Sequence, residues 1–157
     1  MLGSSQHYHD QRYLIMSTVN KENHAVSNAK AKLESIVDLY REYELVTNVS
    51  NNDPEARNED DVRQEAEESV LSVEVCSQSW QQPGTEEFKP DQGRLLLTFG
   101  GPACQIIFDL DEHGQPVNNG ELGIQHQDWF KPWEYLQTND EEEAALEWFA
   151  GLFWYGE

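Results

Sequence analysis

Residues 94–133, RLLLTFGGPACQIIFDLDEHGQPVNNGELGIQHQDWFKPW, constrain the fold more than any other part of the chain. Three short runs alternate apolar and polar side chains, and each is cut off by glycine or proline. Leu95, Leu97 and Phe99 share one face of the first run, which predicts a strand over 94–100. Gly100-Gly101-Pro102 breaks it. Cys104, Ile106, Phe108 and Leu110 then alternate with Gln105, Ile107 and Asp109 over 103–110. Two such runs joined by so short a Gly-rich connection predict an antiparallel hairpin. Beyond the turn chemistry of 111–120, a further strand over 121–127 puts Leu122, Ile124 and His126 on one face. Pro132 fixes φ and stops that strand, and DWFKPW is expected to fold back over the open sheet end.

The flanks read as helices and one more strand. Residues 1–23 are polar and without periodicity, so they are expected to form a disordered tail, with Met16 as an alternative start. From residue 24 to 45, Val26, Ala29, Leu33, Ile36, Val37, Tyr40 and Tyr43 recur at steps of three and four, which predicts an amphipathic helix. Asp53-Pro54 has the form of a cap followed by proline at the first helical position. Residues 55–69 follow as an acidic helix or an acidic linker. Between Asp53 and Glu68 eight acids face only Arg57 and Arg63. Over 70–80, Leu71, Val73 and Val75 alternate with Ser72, Glu74 and Cys76, which predicts a half-buried first strand. The last helix is expected over 139–155. Thr138-x-x-Glu141 has the capping-box pattern, Asp140 to Glu143 sit at the positive end of the helix dipole, and Gly156 is the stop. The fold class is therefore α+β. A four-stranded antiparallel meander carries an N-terminal helix or helices and a C-terminal amphipathic helix, in a single domain over 24–157.

Charge narrows the function. The 157 residues carry 30 acids and 10 lysines and arginines, a formal net charge of −20. Neutralising phosphates takes Lys and Arg, so direct nucleic-acid binding is excluded from the reading. Such a surface suits a basic partner, including one whose ordinary ligand is nucleic acid. Simple solubility accounts for the acidity as well. Cys76 and Cys104 make at most one disulfide and no metal framework. The chain shows neither a signal-peptide pattern nor a membrane-length apolar run, so the cytoplasm, with both thiols reduced, is the expected compartment.

Each candidate site has an ordinary structural reading beside the functional one. Asp109, Asp111, Glu112 and His113 could hold a hard cation, yet Asp-Glu-His-Gly is common turn chemistry. His126 and Asp128 stand two apart at a strand end, where an Asp-oriented His can act as a general base, but no nucleophile accompanies them. His7 and His9 form a His-x-His pair with no further ligand nearby. Gly100-Gly101-Pro102 lacks the lysine and the following helix of a phosphate loop. Trp80, Trp129, Trp133, Trp148 and Trp154 could stack on bases only beside a basic groove. From Leu95 onward, however, twelve acids face Lys131 alone. Core packing, with a tryptophan or two left at a protein interface, is the better reading.

From Leu71 to Glu157 the chain resembles a family of small uncharacterised acidic proteins of bacteriophages, prophages and plasmids. The resemblance rests on Leu71-Ser72-Val73-Glu74-Val75, Gly100-Gly101-Pro102-Ala103, Leu110-Asp111-Glu112-His113-Gly114, Gln127-Asp128-Trp129, Pro132-Trp133 and Phe153-Trp154-Tyr155-Gly156-Glu157. It implies an accessory protein of a mobile element and transfers no catalytic residue or cofactor. Together these readings favour a non-enzymatic interaction protein that imitates DNA. It would block a basic host protein such as a restriction or CRISPR component. Asp60, Asp61, Glu65, Asp128, Trp129, Trp133, Asp140, Glu141, Glu142 and Glu143 are the candidate contact residues. One alternative is a small metal-dependent or acid–base enzyme built on Asp109, Asp111, His113, His126 and Asp128. The other is a structural or assembly protein. Oligomeric state stays open, with a homodimer as one option.

Overall fold

The computed structural model describes residues 6–48, 56–77, 90–117 and 120–156, with side chains from residue 24 onward. Its centre is an antiparallel sheet in simple sequential order: β1 (Ser72–Cys76), β2 (Gln92–Thr98), β3 (Ala103–Asp109), β4 (Leu122–Gln127) and β5 (Glu134–Tyr135). The meander is as predicted, but it has five strands rather than four. After the turn at Asp128–Pro132 the chain comes back beside β4, pairing Gln125 with Tyr135 and His126 with Glu134. Leu136 then donates its backbone N–H to the Ile124 carbonyl at 2.9 Å. Two residues are too few to show alternation, which is why the pattern does not announce this strand.

The pleat sorts side chains as the sequence implies, with one exception that has a clear cause. Leu95, Leu97, Cys104, Ile106, Phe108 and Ile124 are buried and belong to one core cluster with residues of the helices. Arg94, Gln105, Ile107 and Gln125 alternate with them, on the other face. Phe99, expected to continue the Leu95–Leu97 face, does not. A register shift between Leu96 and Thr98 pairs Leu96 with Gln105 but Thr98 with Cys104. This bulge resets the alternation, so Thr98 faces the helices and accepts from Asn28 Nδ2 at 3.2 Å. Phe99 is left in solvent.

Helix α1 (Gln6–Asn48) takes in residues 6–23, for which no periodicity predicts a helix. Its buried positions are Ala25, Ala29, Leu33, Ile36, Val37 and Leu39, with Tyr40 and Tyr43 partly buried. The stripe is broad because α1 packs on two helices as well as on β3 and β4. Helix α2 (Glu59–Glu68) resolves the helix-or-linker alternative in favour of a helix, with Val62 and Ala66 buried. Its cap is Asn58, whose Oδ1 accepts the N–H groups of Asp60 and Asp61. The predicted Asp53-Pro54 cap lies outside the described residues.

Helix α3 (Asp140–Ala150) begins one residue later than its predicted box. Asn139 caps it, and Glu142 returns the bond. It also ends earlier than expected, at Gly151 rather than Gly156. The chain then folds back, so that Tyr155 meets Phe108 edge-on at 5.0 Å and donates its hydroxyl to the Ala150 carbonyl at 2.6 Å. Burial raises the Tyr155 phenol well above its ordinary pKa. Because α1 and α3 lie over β3 and β4, they leave β1 uncovered. Leu71, Val73 and Val75 are exposed, and the predicted half-buried first strand is corrected to an uncovered edge strand. No described helix is long and apolar enough to cross a membrane.

Candidate interaction surface

Acids from three helices meet around residues 38–43 of α1. Arg41 reaches across to the start of α3. Its Nε donates to Glu141 Oε1 at 2.7 Å and its Nη2 to Glu141 Oε2 at 2.9 Å. The same guanidinium leans on Asp38 at 3.4 Å. The hydrogen bonds from Arg41 hold the Glu141 carboxyl below the ordinary carboxylate range. Arg57, just before α2, joins Glu42 of α1 at 3.1 Å and Glu65 of α2 at 2.6 Å. Arg63 stands 3.6 Å from Glu59 on its own helix. The arginines therefore bind the helical layer together, and acids remain in excess. Helix α2 has six acids against one arginine, and α3 has five acids and no base.

The candidate residues divide by task. Asp61 and Glu142 close capping boxes, on the Asn58 and Asn139 N–H groups at 2.9 and 2.8 Å. Glu65 and Glu141 are in the ion pairs just described. Glu143 takes the Thr138 hydroxyl at 3.3 Å, and Asp60 and Asp140 project into solvent. A groove of about 380 Å³ separates α1 from the start of α3, lined by Lys30, Glu34, Arg41, Asn139, Glu141 and Glu142 among others. The first N–H groups of α3 are already held by Asn139, so this groove is not a ready anion site.

Asp128, Trp129 and Trp133 are elsewhere, at the β4–β5 turn. That turn meets α1 near Ala25 and Val26 across a cleft of about 330 Å³. At 1.5 Å per residue this is ~22 Å along α1 from Arg41. The turn is held by its own polar groups. Asp128 Oδ1 accepts the Trp129 N–H at 2.9 Å, and Gln127 Nε2 donates to the Lys131 carbonyl at 2.7 Å. The Trp129 indole lies directly on Gly101 of the β2–β3 turn, where a Cβ would collide with it. Trp133 is half-buried. Two exposed aromatics here escape sequence reasoning. Phe99 is 84% exposed and Phe130 is fully exposed. The bulge in β2 and the left-handed backbone of Phe130 put them there, and neither leaves a trace in residue periodicity.

The enzyme group does not converge. Asp109 ends β3 and spends its Oδ2 on the Glu121 N–H at 2.8 Å. Asp111 Oδ1 accepts the Gln115 and His113 N–H groups at 2.9 and 2.8 Å, which lowers its carboxyl below the ordinary range. His113 is exposed. His126 lies opposite Cys104, at the other end of β3, and lines the cleft with Asp128. Five residue steps along β3 separate Asp109 from Cys104, ~17 Å. Among the described residues, no group of three or more His, Cys, Asp or Glu could hold a metal ion. Cys76 and Cys104 are free; the first is exposed, and burial pushes the second up to about 12. No family model matches the chain, and no curated protein or solved structure matches it.

Proposed function

We propose that this chain is a non-enzymatic interaction protein that covers a basic surface on another protein with the acids of its helical layer. The observation that carries the reading is the gathering of α2, α3 and the middle of α1 into one acidic layer, fastened by Arg41 and Arg57. Acids three and four apart on a helix stand ~5–6 Å from one another and present a row of fixed negative charge, as a phosphate backbone does. The natural target is a protein channel lined with Lys and Arg that ordinarily holds nucleic acid. In the mobile-element setting that the sequence resemblance implies, a restriction or CRISPR component of the host meets that description.

The test is capture of partners from a bacterial lysate, treated with nuclease, at low and high salt. The wild-type chain is compared with a variant carrying Asp60→Asn, Asp140→Asn and Glu143→Gln, which spares the capping boxes and the arginine pairs. Binding should weaken steeply as salt rises, weaken in the variant, and be displaced by duplex DNA. A partner that stays bound in ~1 M salt, or that binds the variant equally well, removes the electrostatic basis of the proposal.

A further inference from the structure

The two edges of the sheet are built differently. β5 is blunted by its length of two residues. β1 runs from Ser72 to Cys76 in unbroken register with β2; among the described residues no strand pairs with its other side, and β1 itself has no proline, lysine or bulge to guard that side. Its single charge, Glu74, is neutralised from within the sheet by Arg94, whose Nη2 lies 2.5 Å from Glu74 Oε2. That hydrogen bond lowers the Glu74 carboxyl below its ordinary range. On the side facing the helices, Leu71, Val73 and Val75 form a row that is 63, 40 and 37% exposed. Arg94 and Glu74 thus make this strip locally neutral on a molecule of net charge −20.

We propose that β1 is a self-complementary edge through which two copies of this chain pair antiparallel into one continuous sheet. A two-fold axis at Val73 sets Val73 against Val73 and Leu71 against Val75 on the helix side. On the other side it sets Ser72 against Glu74. Shifting the axis to Glu74 would bring two carboxylates face to face, so the Val73 register is the one selected. A basic partner has no reason to choose this neutral strip over the acids of α2 and α3. A second copy does, because it is the place where like-charged copies approach with least opposition. Five strand residues cover less than the ~1,600 Å² of a standard interface, so the dimer forms reversibly with concentration. It rests on the edge strand alone and stands or falls independently of the basic-partner reading.

Sedimentation velocity of the full reduced chain, over a concentration series at 0.1 M and ~1 M NaCl, reads the association. Salt screens like charges over about a Debye length, so the dimer fraction should rise with salt, opposite in sign to partner binding. Val73→Lys places two ammonium groups on the axis and should abolish the dimer. A disulfide scan in a Cys76→Ser background locates the axis. Val73→Cys should cross-link with diamide at least ten-fold faster than Glu74→Cys, because residues paired across an antiparallel ladder fall within disulfide reach. The Asp60→Asn, Asp140→Asn, Glu143→Gln variant should keep the dimer. A chain that stays monomeric at every concentration and salt overturns the proposal. So does a dimer indifferent to Val73→Lys, or cross-linking that favours position 74.

Discussion

Phe130 holds a backbone conformation that disfavours it. Its φ is +61°, in the left-handed region, and its ring is exposed, with only a tilted approach to the Trp129 ring at a centroid distance of 6.1 Å. A bulky side chain there costs ~1 kcal/mol, which glycine does not incur. Phe130→Gly should therefore raise stability by ~1 kcal/mol, offset in part by glycine's greater freedom in the unfolded chain. Urea unfolding reads this, and a lowered midpoint would show that the ring makes a stabilising contact. Cys104 is a second residue-scale case. Its buried thiol is pushed up to about 12, so the folded chain keeps a proton that the unfolded chain loses above its ordinary pKa of 9.0. Where the folded state binds more protons, stability falls as pH rises. The window opens near pH 9.0 and runs to about 12. Cys104→Ala should start from a lower stability, because a small cavity is left, yet lose less of it across that window. Tyr135 and Tyr155, both raised by burial first, continue to contribute in the variant, so the difference between the two chains isolates the thiol.

At the scale of elements, the two capping boxes are the most local features of the fold, and they can be weighed one residue at a time. Asn139 rather than Thr138 caps α3, accepting the N–H groups of Glu141 and Glu142 at 3.0 and 3.1 Å. Asn139→Ala should cost ~1 kcal/mol, and Thr138→Ala clearly less, since its hydroxyl reaches only Glu143. Equal losses in thermal unfolding would mean that the cap is shared. The one-residue offset shows what the sequence makes legible. Thr138-x-x-Glu141 and Asn139-x-x-Glu142 are both adequate boxes, and only the packing of Ala145, Leu146 and Phe149 against the sheet chooses between them. Strands β2, β3 and β4 were legible because the face toward the helices is apolar while the other carries polar side chains such as Arg94, Gln105 and Gln125, so the pattern of two carries the information. This holds even though Gln105 and Gln125 are buried as well, Gln105 donating to Gln125 at 2.7 Å. β1 carries the same pattern, and its failure to be buried depends on where α1 and α3 sit, which is tertiary. The early end of α3 is of the same kind. Leu152, Phe153 and Tyr155 continue a helical apolar face, yet the edge-on contact of Tyr155 with Phe108 needs the chain to turn back at Gly151. The acidity of the candidate surface was plain from composition. That Glu141 and Glu65 are occupied by Arg41 and Arg57, which lie distant in sequence or on another element, was not.

At the scale of the whole molecule, the balance of like and unlike charge decides how salt acts. The ion pairs are exposed, with Arg41 and Glu141 side chains 53 and 51% accessible, so solvent screens them and each adds little to stability. Thirty acids against ten lysines and arginines repel one another across the whole surface, and that repulsion is relieved on unfolding. Screening weakens both effects, and the repulsion involves many more charges than the pairs do. Added NaCl should therefore raise the Tm between 0.05 and 0.5 M (about 14 to 4 Å of screening length). A fold held mainly by its ion pairs would show a fall. Arg41→Gln should steepen the rise, because it leaves Asp38 and Glu141 facing each other without their shared base. The Asp60→Asn, Asp140→Asn, Glu143→Gln variant should flatten it, because it removes acids that have no ion-pair partner among the described residues. Calorimetry at several salt concentrations reads all three slopes. Should the wild-type Tm stay level while partner binding still falls with salt, the acids would be spaced to meet a partner without straining the fold that carries them.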